Sequence, residues 1–148
     1  MKYRCFLIVL VCLFSAGCNW YVEGTEAELL LDCNPGGGYP AYSGGRYHWN
    51  YSIYLDEYSG DQSVEIQYFQ YQVFGSDGSL IEFRSGNCGF VREFWGQNSC
   101  RIQAGGFWQV SRTFSYVNLR PERIEFLLIG FDEVGVKHEK STTFRTYH

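Results

Sequence analysis

Residues 123–145 constrain the fold of this chain more than any other stretch. Ile124, Phe126, Leu128 and Gly130 alternate with Glu125, Leu127, Ile129 and Phe131, so beyond its first residues the segment is apolar on both faces. A strand buried on both faces belongs in the interior of a sheet. Asp132-Glu133-Val134-Gly135 supplies a turn, with Gly135 free to take a positive φ. Residues 136–145 then alternate polar and β-branched side chains, the pattern of a half-exposed neighbour. The pair predicts an antiparallel hairpin central to a β-sandwich, and it carries no chemistry of its own.

The other end of the chain says where the protein resides. Lys2 and Arg4 precede an apolar run over residues 6–14, and Ser15-Ala16-Gly17 follow, just before Cys18. A basic start, a short apolar core and a small-residue exit predict a secretory signal; the run is too short to span a bilayer. Ala16-Gly17-Cys18 resembles the lipobox of bacterial lipoproteins, although Ser15 stands where a branched aliphatic residue is usual. The resemblance implies cleavage before Cys18, lipidation of Cys18 and a place in the bacterial cell envelope, facing periplasm or exterior. The expected organisation is a signal peptide over residues 1–17, a tether over 18–25 and one domain over 26–148. That domain is large enough for a single hydrophobic core.

The formal charge is −4, and loss of Lys2 and Arg4 with the signal makes the mature chain more acidic still. Without a Lys/Arg cluster, nucleic acid is not an expected partner, and membrane contact is expected through the N-terminal lipid. Twelve Tyr and twelve Phe beside a single Met fit a β-rich chain, and no stretch is read as an amphipathic helix. With Cys5 and Cys12 in the signal and Cys18 lipidated, Cys33, Cys88 and Cys100 remain in an oxidising compartment. Cys88 and Cys100 bracket a short loop and are paired. Closing it would contribute roughly 2–3 kcal/mol on the chain-entropy argument. Cys33 is then a buried free thiol, with pairing through Cys33 the open alternative. The spacing suits no zinc site, and no cofactor is implied.

Taken in order, residues 26–32 predict a first strand and residues 34–45, rich in glycine, a flexible connection. Tyr47, Trp49, Tyr51, Ile53 and Leu55 share one face of the next strand, with Trp49 in the core. The apolar phase then changes between Val64-Ile66-Tyr68 and Phe69-Tyr71-Val73, which predicts a bulge near Tyr68. Ser76-Asp77-Gly78-Ser79 reads as a type I′ hairpin turn. Residues 80–85 return, residues 107–117 form a strand, and the total is seven.

Seven antiparallel strands, Trp49 on the second, and a last hairpin turning at Gly135 resemble fibronectin type III and immunoglobulin-like sandwiches, most closely over residues 124–146. The segment Ile102 to Gly106 is similar to the kink before the fifth strand of many bacterial immunoglobulin-like domains. The cysteine spacing departs from the intersheet pair of antibody domains. Such a likeness implies an all-β, seven-stranded sandwich and hands over no activity.

No nucleophile elbow, metalloprotease helix or redox dithiol occurs, and no catalytic residue is assigned. His48, His138 and His148 are expected in solvent. Asp56, Glu57, Asp61, Asp132 and Glu133 are expected to gather at one end as solvated turn acids. Candidate binding residues are the loop aromatics Tyr39, Tyr42, Phe90, Phe94 and Trp95. The last three are expected as a lid on the core, near the lipid surface, and Tyr54 as an outward ring standing alone. The leading expectation is a non-enzymatic, lipid-anchored module that binds or scaffolds an envelope protein or glycan. The alternatives are a carbohydrate-binding module, which needs an exposed coplanar aromatic pair, and an inhibitor of a secreted hydrolase.

Overall fold

A computed structural model describes residues 26–116 and 121–147. The signal sequence, Cys18, all but the end of the N-terminal segment, and His148 lie outside the described residues. The architecture is an all-β sandwich of two sheets with one short helix. Its elements are β1 (Leu29–Asn34), β2 (Gly37–Gly38), β3 (Ala41–Ser43), β4 (Arg46–Glu57), β5 (Val64–Gly75), β6 (Leu80–Gly86), α1 (Cys88–Trp95), β7 (Arg101–Ile102), β8 (Phe107–Tyr116), β9 (Pro121–Asp132) and β10 (Lys137–Thr146).

In the first sheet β4 is central, flanked by β1 and β3 on one side and β8 on the other. The second sheet runs β2-β10-β9-β5-β6, with β7 pairing the start of β5. The doubly apolar strand β9 is interior, between β10 and β5. Its inner residues Ile124, Phe126 and Leu128 are buried, whereas Leu127 and Ile129 on the outer face are only half-buried, since among the described residues no further layer covers that face. The register shift between Ile66 and Tyr68 supplies the expected bulge. It returns Phe69 and Val73 to the core beside Trp49, Ile53, Leu55 and Phe144, each such burial stabilising by roughly 1.5–3 kcal/mol.

Three local expectations are corrected. Residues 34–45 are not a loose connection: β2 adds in parallel to the end of β10 and β3 pairs with the start of β4. A Cβ on Gly37 would lie 2.7 Å from the Arg145 carbonyl, so glycine is what lets β2 approach β10. The Ser76–Ser79 turn is not type I′, because Gly78 alone of its residues has a positive φ. Asp77 instead accepts from Ser79 N at 2.9 Å and Ser79 Oγ at 2.6 Å, an Asx turn, with a register shift at Val73/Phe74 absorbing the difference. The segment between the paired cysteines contains a helix. Asn87 caps α1 by accepting from Gly89 N, Val91, Phe94 and Trp95 form its buried face, and Gly96 ends it at φ 65°.

The Cys88–Cys100 disulfide ties α1 to the strand that follows it. Cys33 is free and buried. Burial, chiefly, with Asp32 adding its charge against an opposing hydrogen bond to Thr142, pushes its thiol up to about 12, which leaves no thiolate at neutral pH.

Candidate functional site

The alternation that places Leu55 and Gly130 inward continues for one more step to Glu57 and Asp132, and both carboxylates are buried. Glu57 Oε1 accepts from Glu28 N, Ser59 N and Ser59 Oγ, and Oε2 from Gly60 N and from Gly105 N at 2.6 Å. Burial alone would raise this carboxyl, but the hydrogen bonds outweigh it and hold the pKa below the usual carboxylate range. Asp132 is lowered in the same way: burial opposes, while His138 and the backbone N–H groups of Val136 and Ala27 prevail. His138 is therefore no solvated residue; it is buried, with Nε2 3.1 Å from Asp132 Oδ2. The acids do share one end of the sandwich, as Ser63 Oγ bonding Glu133 across the loops shows. Glu57 and Asp132, however, organise turns and hold the N-terminal segment instead of meeting solvent. Among the described residues no group of three or more His, Cys, Asp or Glu side chains could hold a metal ion.

The two outer edges, β6 and β8, face each other along one side of the sandwich. Toward the N-terminal end α1 fills that side, burying Phe94 and Trp95 against Phe69 at 4.6 and 5.7 Å between ring centroids. Phe90 is half-buried. Phe94 and Trp95 thus belong to the core, with Phe94 also lining the cavity beyond α1. Farther along, a cavity of about 420 Å³ opens among Tyr71, Glu82, Arg84, Arg112, Phe114 and Tyr116. Glu82 accepts from Tyr71 at 2.8 Å and from Tyr116 at 3.0 Å, joining the two sheets. Burial, then the Glu82 hydrogen bond and charge, push Tyr71 up to about 12. Arg112, inward on β8, lies 4.9 Å over the Phe94 ring and donates to the Glu93 and Phe94 carbonyls at the end of α1. Inward charges on edge strands are a known guard against edge-to-edge pairing, and these bond chiefly to the protein's own groups.

At the end opposite the N-terminal segment the remaining two candidates stand clear of the core. Tyr39 is 76% and Tyr42 66% exposed. Each pairs with another tyrosine: Tyr39 with Tyr147 at 5.4 Å and 48°, Tyr42 with Tyr47 at 5.0 Å and 53°. These exposed pairs are tilted, and the near-parallel pairs, such as Trp49–Phe114 at 10°, lie in the core. Tyr147 N donates to Gly38 O, so the close approach at Gly37 is also what brings the two tyrosine-bearing segments together. Tyr147 escaped the sequence reading, since nothing in it placed the last residues beside residues 37–39, and Tyr47 reads there only as one of the apolar face of its strand.

His48 sits on the outer face of the first sheet. Its Nε2 donates to the Ser43 carbonyl, 3.1 Å away, and its Nδ1 lies in hydrogen-bond contact with Ser115 Oγ at 2.6 Å. This Ser–His pair, 67 residues apart in sequence, is one rung of a series, with Asn50–Thr113 and Ser52–Ser111 following along the same strands. Tyr54 does not stand alone on this face, because Phe107 lies 5.9 Å from it.

No protein-family model matches the chain, and no curated protein does. Among solved structures the chain is similar to the structural-genomics target SoR45 (TM-score 0.53, 13% identity, covering 82% of this chain and 88% of that one). It is also similar to a putative ApaA protein from Bordetella pertussis (TM-score 0.52, 8% identity, 82% and 95%). At such identities the likeness is one of fold.

Proposed function

We propose that this chain is a lipid-anchored, non-enzymatic envelope module of immunoglobulin-like type that binds or scaffolds a partner envelope protein through its tyrosine-bearing end. One observation carries the reading: the N-terminal segment and the exposed tyrosines occupy opposite ends. Ala27 is held at Asp132 and Tyr58 N donates to Glu28 O, whereas Tyr147 follows the far end of β10. The two are separated by about 30 Å at roughly 3.3 Å per residue. An acyl chain on Cys18 would fix the first end to the membrane and turn the second away from it. Tyrosine suits such a surface, joining a large, rigid contact area to a hydroxyl that can pair on either side of an interface. The immunoglobulin-like assignment is supported by the seven strands of six or more residues, arranged β1-β4-β8 and β10-β9-β5-β6.

Site-specific photocrosslinking in the native envelope tests the reading. A photoreactive residue at position 39 or 42 is expected to give a discrete adduct that Tyr147→Ser or Tyr47→Ser weakens, while one at position 58 gives none. Adducts from position 58 alone, or from no position, would remove the tyrosine end as the interface.

A further inference from the structure

The outer faces of the two sheets differ in a way that solvation alone does not require. The second sheet's outer face carries the charged pairs usual for a surface in water: Lys137–Glu139 and Arg123–Glu125, each at 2.6 Å, and Arg101–Glu65 at 3.3 Å. On the first sheet the outward residues of β4 from His48 to Tyr54 face Ser115, Thr113, Ser111 and Gln109 of β8, and β1 adds Asn34 opposite Ser52. Asp32, opposite Tyr54, is the one acid on this stretch, and its carboxylate is taken up by Cys33 N, the Thr142 hydroxyl and the Tyr54 hydroxyl; no lysine or arginine is among these outward residues.

Within that face lies a cavity of about 340 Å³ lined by Asn34, Pro35, Asn50, Ser52, Ser111 and Thr113, with the inward residues Tyr51 and Arg112 beneath them. Its groups are only part-used by one another. Thr113 Oγ1 donates to Asn50 Oδ1 at 2.5 Å, which leaves the Asn50 amide N–H groups to donate. Ser52 and Ser111 share one proton across 2.9 Å, so one hydroxyl proton of that pair is left over. The floor therefore offers both donors and acceptors, while the Arg112 guanidinium is engaged by the Glu93 and Phe94 carbonyls. One step along β4, Tyr54 and Phe107 form an aromatic shelf tilted by only 32°. Tyr54 is anchored by its hydroxyl to Asp32 Oδ2 at 3.1 Å, and Phe107 is 55% exposed.

We propose that this face binds a neutral glycan chain laid along β4. Sugar hydroxyls, which both donate and accept, would pair with Asn34, Asn50, Ser52, Ser111 and Thr113, and the apolar C–H face of a neighbouring sugar ring would rest on Phe107 and Tyr54. The chemistry of the floor selects the ligand. An acidic polymer would find no outward lysine or arginine between His48 and Tyr54, a basic one would find only Asp32, already bonded to Cys33 N, Thr142 and Tyr54, and an apolar partner would strand the amides and hydroxyls unpaired. The distance from Asn50 to Tyr54, about 13 Å along the strand, accommodates a short oligosaccharide. This site is separate from the tyrosine-bearing end and does not depend on it.

The test is calorimetric titration of the full mature protein, held in a detergent without a sugar headgroup, with neutral oligomers of glucose and of N-acetylglucosamine and with an acidic oligomer of galacturonate. Binding of at least one neutral oligomer and not of the acidic one is expected. Phe107→Ala and Ser111→Lys, both at exposed positions, should each weaken it about tenfold or more with melting unchanged. Tyr42→Ser should leave it unaltered. Failure of both neutral oligomers to bind, preference for the acidic one, indifference to Phe107→Ala and Ser111→Lys together, or loss through Tyr42→Ser would each overturn the proposal.

Discussion

Glu57→Ala is expected to remove roughly 3–5 kcal/mol of stability, because it strands several buried donors at once and not one contact. The carboxylate collects the N–H groups of Glu28, Ser59, Gly60 and Gly105. The loop after β4, the loop before β8 and the N-terminal segment are therefore held by a single side chain. Against a typical domain stability of about 5–15 kcal/mol, that loss would leave little of the fold at 37 °C. Glu57→Gln keeps the shape and an acceptor, and should lose less. The pH dependence follows from the same bonds. The folded pKa values of Glu57 and Asp132 are depressed, so their stabilisation is fully present above the ordinary carboxylate range near pH 4. It is lost as pH falls through that range toward the folded values. Urea unfolding across the acid range should show wild-type stability declining below about pH 5 and a shallower decline in Glu57→Gln. Equal slopes in the two proteins would mean that Glu57 does not carry the acid sensitivity assigned to it.

Trp95→Ala should be comparably damaging, at roughly 3–5 kcal/mol, with Phe94→Ala close behind. Trp95 is 2% exposed and lies against Phe69, Phe94 and Trp108 with ring centroids 5.7 to 6.1 Å away. Little nearby can collapse into the space it would vacate, since α1 is fixed at one end by the Cys88–Cys100 bond and at the other by Arg112. Phe90, half-buried, should cost distinctly less. Thermal melts decide between this and the opposite use of the rings: near-wild-type melting of both Trp95→Ala and Phe94→Ala would mean that α1 presents these side chains to a partner.

The long strands were legible because their periodicity is local. Tyr47 to Leu55 and Ile124 to Gly130 each report their inward face through every second residue, and the phase change near Tyr68 reported its own bulge. The same parity reaches Glu57 and Asp132, so their burial was readable in principle; a carboxylate next to a turn suggests solvent until its backbone donors are known. His138 was hidden for the same reason, since it is buried by its bond to Asp132 across the turn. Helix α1 was obscured by composition: Cys, Gly, Phe, Val and Trp are weak helix formers, and in eight residues the spacing of Val91, Phe94 and Trp95 is barely one repeat. Residues 34–45 looked loose because β2 takes its order from β10, more than a hundred residues later, and β3, pairing with the start of β4, is only three residues long. The pairing of Tyr39 with Tyr147, and of His48 with Ser115, has no local trace at all.

The proposed arrangement of one lipid-bound end and one exposed end can be measured on the lipidated protein attached to liposomes. A fluorophore is placed on a cysteine introduced at position 58 or at position 39, while the buried, protonated Cys33 is left unlabelled. With a quencher carried on the lipid headgroups, strong quenching is predicted at position 58 and weak quenching at position 39, about 30 Å farther out. In Cys18→Ala both signals should vanish together with the liposome-bound protein. Equal quenching at the two positions, or binding that survives Cys18→Ala, would contradict the account.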